Sequence, residues 1–186
     1  SDWSDGGSPI EEMAFTAIEL GHDYLVLTDH SPRLKVARGL SAERLARQLD
    51  VVAAVNQHLG ETTGFRLLAG IEVDHQDLGP VAAADFGGLD QTEEMLGRLD
   101  VRVASVHSKL AMEPDAMTRR MVRAVHNPWT NVLGHCTGRL VTGNRGTRPP
   151  SKFDARAVFE ACAEHGVAVE INSRPERRDP PTALLA

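Results

Sequence analysis

Helical and strand-like segments alternate strictly along the chain, and this order restricts the fold more than any other feature. Residues 8–11 read Ser-Pro-Ile-Glu, a capping box with proline at the first helical position, and Ile10, Met13, Ala14, Ala17 and Ile18 follow at helical spacing. The apolar run 24–27 is too short for a helix and fits a buried parallel strand. Residues 41–59 form an amphipathic helix capped by Ser41, with Leu45, Leu49, Val52 and Val55 on one face and His58 near its end. Strands are expected at 65–73, 101–106, 131–134 and 167–171, and helices at 90–99, 113–125 and 153–164, with another helix beginning near Pro181. Such alternation implies right-handed βαβ units and a parallel sheet, either open or closed into a barrel. No glycine-rich phosphate loop follows any strand, which removes the usual nucleotide-binding reason for an open sheet. The stretch 75–88, rich in Gly, Ala and Asp, reads as a surface excursion.

Four successive strands end on metal-ligand side chains. Asp29 and His30 follow the first, Glu72 closes the second with Asp74 two residues on, His107 follows the third and His135 the fourth. In parallel β/α folds this C-terminal edge is where ligands bind. A single histidine there is more often a hydrogen-bonded structural residue. Three histidines and a glutamate at one edge instead match the imidazole and carboxylate ligand set of Zn²⁺, Mn²⁺ or Fe²⁺. His22, His58, His126 and His165 sit at helix C-termini and read as capping residues. His75 fits either class, with the structural role favoured.

Half of the cations are concentrated in three segments. Residues 31–38 carry Arg33, Lys35 and Arg38; residues 139–152 carry Arg139, Arg145, Arg148 and Lys152; residues 173–178 carry Arg174, Arg177 and Arg178. These are ten of the 20 lysines and arginines, opposed there only by Glu176. Since the whole chain carries −6, the remainder holds about fifteen excess negative charges. All three segments follow strands, and Lys109 lies two residues past His107, so an acidic protein gathers cations around its ligand edge. Arginine forks there suit phosphate oxygens, although exposed loops are also basic by chance. The acidic total and an aromatic content of 4% argue against a general nucleic-acid binder. Cys136 and Cys162 offer neither a disulfide framework nor a thiolate metal site. Cys136 should point away from the face His135 uses and pack in the core. No run is long and apolar enough to span a membrane and no signal segment opens the chain, so a cytoplasmic protein is expected.

The strings Ser4-Asp5-Gly6, Thr28-Asp29-His30-Ser31, Gly70-Ile71-Glu72-Val73, Ser105-Val106-His107-Ser108, Gly134-His135 and Glu170-Ile171-Asn172 resemble, in order, the motifs of the PHP (polymerase and histidinol phosphatase) family. The likeness is nearest to its branch in bacterial family X DNA polymerases and related phosphoesterases. It implies an α/β fold, a distorted (β/α)7 TIM-like barrel, with up to three divalent ions, zinc or manganese. It also implies hydrolysis of a phosphate ester, either a small phosphate such as histidinol phosphate or a DNA 3′ end. Carried over by residue, Glu72 matches the carboxylate bridging two metals, His107 and His135 complete the second metal, and Asp5 and His30 match the third. Glu72, His107 and His135 are thereby the catalytic candidates. Arg38 resembles a phosphate-contacting residue and Arg177 the family's basic residue after the Glu-Ile-Asn strand; with Lys109 and Arg139 they are the substrate candidates, and Asn172 matches a supporting residue. The family's opening His-x-His would precede Ser1 and its closing Asp-x-His would follow Ala186. Residues 1–186 are therefore expected to be one domain truncated at both ends, without the barrel's first and last strands. The rival expectations are a non-catalytic scaffold module of a DNA polymerase or repair protein, and an amidohydrolase-type metal barrel, against which the basic segments argue.

Overall fold

The computed structural model describes residues 1–75, 88–144 and 146–185. The excursion expected at 75–88 therefore lies largely outside the described residues, as does Arg145. The chain forms two compact units, Ser1–Val73 with Asp90–Arg102, and Asp74–Leu89 with Val103–Ala186.

In the first unit, helix α1 (Ile10–Glu19) buries Ile10, Ala14 and Ala17 against strand β1 (Tyr24–Leu27) and helix α2 (Ala42–Thr63). The capping box does not form. Pro9 occupies the cap position and no side chain bonds the first amides, so Glu11 and Glu12 in the first turn supply the favourable charge there. β1 pairs in parallel with β2 (Arg66–Asp74), Tyr24 opposite Arg66 and Leu27 opposite Ala69. Only Leu27 of β1 is buried; Tyr24 is exposed, so the strand is less enclosed than its apolar sequence suggests.

Ser41 caps α2 as expected, accepting the Arg44 amide at 3.3 Å. The helix continues past 59 because the residue that leaves helical geometry is Gly64, at φ +69°. His58 consequently lies inside the helix and not at its end. Asn56 pins α2 to β2 through two 2.8 Å bonds with the Leu67 backbone. The helix expected at 90–99 shrinks to α3 (Glu93–Leu96), capped by Thr92. Asp90 instead accepts from Ser31 Oγ and the Arg33 amide, which ties this stretch to the loop after β1.

In the second unit, strands β3 (Val101–Ser105, from Val103 onward), β4 (Val132–Leu133) and β5 (Ala168–Val169) pair in parallel in chain order. Helices α4 (Pro114–His126) and α5 (Ala155–His165) pack on one another over a core of Met117, Met121, Val125, Leu133, Val158 and Cys162. Asp154 caps α5 through the Ala157 amide and Gly166 ends it at φ +66°. Near Pro181 the chain makes a 3-10 turn, Thr182–Leu184, and no α-helix is described there. All described strand pairs of both units are parallel, as the alternation predicted, and the fold is α/β.

Candidate metal centre

Within the first unit, His30 stands between two carboxylates. Its Nε2 lies 3.5 Å from Asp5 Oδ1 and its Nδ1 lies 3.5 Å from Glu72 Oε2. His30 and Glu72 meet because β1 and β2 leave the sheet together, with His30 bridged to Glu72 and the Ser31 amide donating to the Glu72 carbonyl at 3.0 Å. Asp5 comes from the opening loop, which is held independently. The Asp29 carboxylate, 1% exposed, accepts from Ser4 Oγ at 2.5 Å, from Gln48 Nε2 at 2.7 Å, and from the amine and hydroxyl of Ser1. Burial pushes the Asp29 carboxyl up, but the hydrogen bonds from the Ser1 amine, Ser1 and Ser4 outweigh it and hold it below the usual range. Arg38 donates to the Ser4 and Asp2 carbonyls, and Arg44 donates to that of Trp3. The structure thus engages Arg38, a substrate candidate, in clamping the segment that carries Asp5.

Within the second unit, the rings of His107 and His135 meet edge to face, with centroids 5.2 Å apart. Asp74 Oδ1 accepts the His107 amide at 3.2 Å and lies 3.5 Å from its Nδ1. Burial raises the Asp74 carboxyl, and the His107 side chain and amide together with Arg120 more than reverse this, leaving it lowered. Arg120, 4% exposed, donates to the Ser108 and His75 carbonyls and so fixes both flanks of this segment. His75 itself is buried at 1% exposure.

The His135 amide donates to Glu170 Oε2 at 2.5 Å, and Asn172 Nδ2 donates to Glu170 Oε1 at 3.3 Å. Asn172 thereby supports the His135 backbone through Glu170. Gly134 is required beside it, since a Cβ there would stand 2.3 Å from Ser105 Oγ and 2.8 Å from Val103 Cγ1. Cys136 is packed in the core, and burial, then Asp179, pushes its thiol up to about 12, so it is not a nucleophile at neutral pH.

Two of the three basic segments meet in this unit. Val141 N donates to the Glu176 carbonyl at 2.7 Å and Arg139 Nε to that of Arg177 at 3.0 Å. Beneath them Asp179, 1% exposed, accepts from Thr137 N at 3.0 Å and Thr137 Oγ1 at 2.9 Å. Lys109 is exposed, with a left-handed backbone at φ 52°.

Each unit therefore presents imidazole beside carboxylate: Asp5, His30 and Glu72 in one, Asp74, His107 and His135 in the other. This donor chemistry fits a divalent ion of the zinc, manganese or iron type without thiolates. Among the supporting residues, Asp74 stands with the strand-end ligands and Glu170 within a motif string in the sequence, while Gln48, Arg120 and Asp179 carry no assigned role there. For Gln48 and Arg120 a signal existed, because each interrupts the apolar stripe of an amphipathic helix, three residues from Leu45 and Met117 respectively. Asp179 had no such pattern; only its tertiary partners mark it.

No protein-family model matches the chain. It is 35% identical over 179 residues to the DNA polymerase/3′-5′ exonuclease PolX of Bacillus subtilis, a match covering 96% of this chain and 29% of that protein. A probable phosphatase of Acetivibrio thermocellus is 30% identical over 169 residues, with 89% of this chain and 59% of that protein covered. A probable phosphatase of Thermoanaerobacter sp. is 28% identical over 174 residues, with 89% and 58% covered. The chain thus spans under a third of the polymerase and under two thirds of these phosphatases. Among the described residues no helix is long and apolar enough to cross a membrane.

Proposed function

We propose that this chain carries the metal-binding core of a PHP-type phosphoesterase, acting on a small phosphate ester or a DNA 3′ end. The observation that carries the reading is His30 held at 3.5 Å from both Asp5 and Glu72, in a chain whose relatives include proteins named probable phosphatases. In this reading residues 1–186 belong to one distorted seven-stranded barrel domain, of which they supply five strands, working in the cytoplasm. Asp5, His30, Glu72, His107 and His135 would hold up to three divalent ions, Zn or Mn in the first instance. When bound, such ions supply Lewis acidity at phosphorus and water of lowered pKa.

The protein's own residues prepare the site for this chemistry. Asp74 faces Nδ1 of His107, which favours the proton on that nitrogen and leaves Nε2 as the donor atom. Asp29, Arg38 and Arg44 keep the Asp5 loop in place before any ligand arrives, so little ordering remains to be done on binding. Of the basic candidates, Arg38 and Arg139 use their guanidinium groups on backbone carbonyls, while Arg177 and Lys109 remain candidates for phosphate oxygens.

A second reading is a non-catalytic module of a DNA polymerase or repair protein. The 35% identity to a protein named DNA polymerase/3′-5′ exonuclease supports the polymerase context of this reading, while the exonuclease in that name fits hydrolysis of a DNA 3′ end. Metal analysis of the purified chain, with aryl phosphate hydrolysis in added Mn²⁺ or Zn²⁺, separates the two. The enzyme reading expects at least one ion per chain and turnover abolished in Glu72→Ala and His107→Ala. Less than one ion and no turnover would leave the scaffold reading.

A further inference from the structure

Helices α4 and α5 of the second unit lie side by side and meet at both ends of their seam. At the start, the Asp154 amide donates to Thr118 Oγ1 at 2.8 Å. At the finish, the last residue of each helix is a histidine, His126 in α4 and His165 in α5. Their rings are in contact, with centroids 4.3 Å apart and planes tilted by 40°. Both residues are exposed, and among the described residues neither ring hydrogen-bonds to any other group. The carbonyl-capping role expected from sequence is therefore not the one these side chains take. The amides of Asn127 and Gly166 fill it, donating to the carbonyls of Ala124 and Cys162.

Each neutral imidazole carries one nitrogen lone pair able to bind a metal. Exposed rings turn about their side-chain bonds within nanoseconds, so a nitrogen of each can come to the roughly 2.0–2.1 Å of a zinc–imidazole bond without moving either helix. The carbonyl ends of both helices converge on the pair, and their dipoles favour a cation there. Arg123, one turn back on α4, and Glu164, beside His165, offset one another in formal charge.

The pair is also set apart from the strand-end residues by topology. It stands where β4 and β5 begin, an edge marked by the Ala168 amide donating to the Asn131 carbonyl at 2.9 Å. His107 and His135 lie beyond the opposite ends of β3 and β4.

We propose that His126 and His165 form a metal site of their own, a two-imidazole clamp for a divalent ion of the zinc, nickel or copper type. The ion ties the C-terminal end of α4 to that of α5. Such ions bind imidazole more tightly than Mn²⁺ does, and Mg²⁺ prefers oxygen. With two protein ligands instead of the four of a closed structural site, water completes the coordination and the ion exchanges readily. The clamp does not rest on the phosphoesterase reading, because it shares no ligand with Asp5, His30, Glu72, His107 or His135.

Titration of the full chain with Zn²⁺ tests it, followed in ¹H–¹⁵N spectra by the amides of Asn127 and Gly166 and the ring nitrogens of His126 and His165. Saturable shifts are expected with Zn²⁺ and not with Mg²⁺ at equal concentration. His126→Gln and His165→Gln should each weaken the binding that Asn127 and Gly166 report at least 10-fold. His22→Gln, exposed and outside the second unit, should leave it at the wild-type value. Absence of saturable shifts with Zn²⁺, shifts of equal size with Mg²⁺, or unchanged affinity in either glutamine variant overturns the clamp. The wild-type titrations decide the matter should a variant fail to fold.

The amides of Ser108 and Gly134 report the strand-end residues in the same spectra. Zn²⁺ shifts there, with none at Asn127 and Gly166, would overturn the clamp and leave the phosphoesterase reading standing. The reverse pattern would support the clamp and count against that reading. Aryl phosphate hydrolysis in Mn²⁺ should be unchanged by His126→Gln.

Discussion

Replacing Asp179 by alanine should be among the most damaging single changes in the second unit. Its carboxylate is 1% exposed and takes both the amide and the hydroxyl of Thr137, itself 1% exposed, at 3.0 and 2.9 Å. A hydrogen bond to a charged group contributes about 1.5–3 kcal/mol, and truncation leaves both Thr137 donors buried. The expected loss is about 3–5 kcal/mol, a large share of the ~5–15 kcal/mol typical of a folded protein. Asp179→Asn retains an acceptor for the amide, and the hydroxyl can rotate, so its loss should be about 1 kcal/mol. Urea unfolding followed by circular dichroism would read the difference. At a slope of roughly 1–3 kcal/mol/M, the alanine variant should lower the midpoint by about 1–3 M. Exchange of the Thr137 amide in native conditions should accelerate in parallel. A loss below about 1 kcal/mol for Asp179→Ala, or equal losses for the two variants, would refute this account of the network.

Three further outcomes follow from the same structure. Asp74→Asn should weaken divalent metal binding by about 10–100-fold in competition with a chelator, because Asp74 is the carboxylate facing His107 Nδ1; unchanged affinity would remove that role. Cys136 and Cys162, 4% and 3% exposed, should resist a thiol reagent at pH 8 in the native protein and react fully in urea. Burial pushes the Cys162 thiol up to about 11, so its contribution to stability is complete below the unfolded thiol value of about 8.5 and is lost as pH rises toward 11. Met121→Ala, at a fully buried position between α4 and α5, should cost about 2–5 kcal/mol in the same urea assay, and a loss below 1 kcal/mol would mean the helices repack to fill the cavity.

Much of the fold was legible because apolar period and length separate helix from buried strand. The run 24–27, the strand 101–106 and the helices at 113–125 and 153–164 all appear within a residue or two of their expected places. The errors are local and have causes. Ser8 is not a cap because Pro9 takes the cap position, α2 outruns Gly60 to reach Gly64, and the 90–99 segment loses its first turn to the Asp90 contacts with Ser31 and Arg33. Each depends on which of two plausible local signals the surrounding chain uses.

The candidate site divides in the same way. Strand order alone put His30, Glu72, His107 and His135 at strand ends, since the residue after a strand's last paired position is fixed by the period of the strand itself. Whether a carboxylate then lies within reach of an imidazole depends on chain segments distant in sequence. Asp5 reaches His30 across 25 residues and Asp74 reaches His107 across 33, while Glu170 holds the His135 amide across 35. No periodicity carries that information. The sequence by itself determined the α/β alternation, the types of side chain delivered to the strand ends and the uneven placement of cations, because these are properties of order and composition. Tertiary structure alone decided that Arg38 clamps a loop and that Asp179 supports the basic turn through Thr137, because hydrogen-bond satisfaction is settled only when distant segments are packed together.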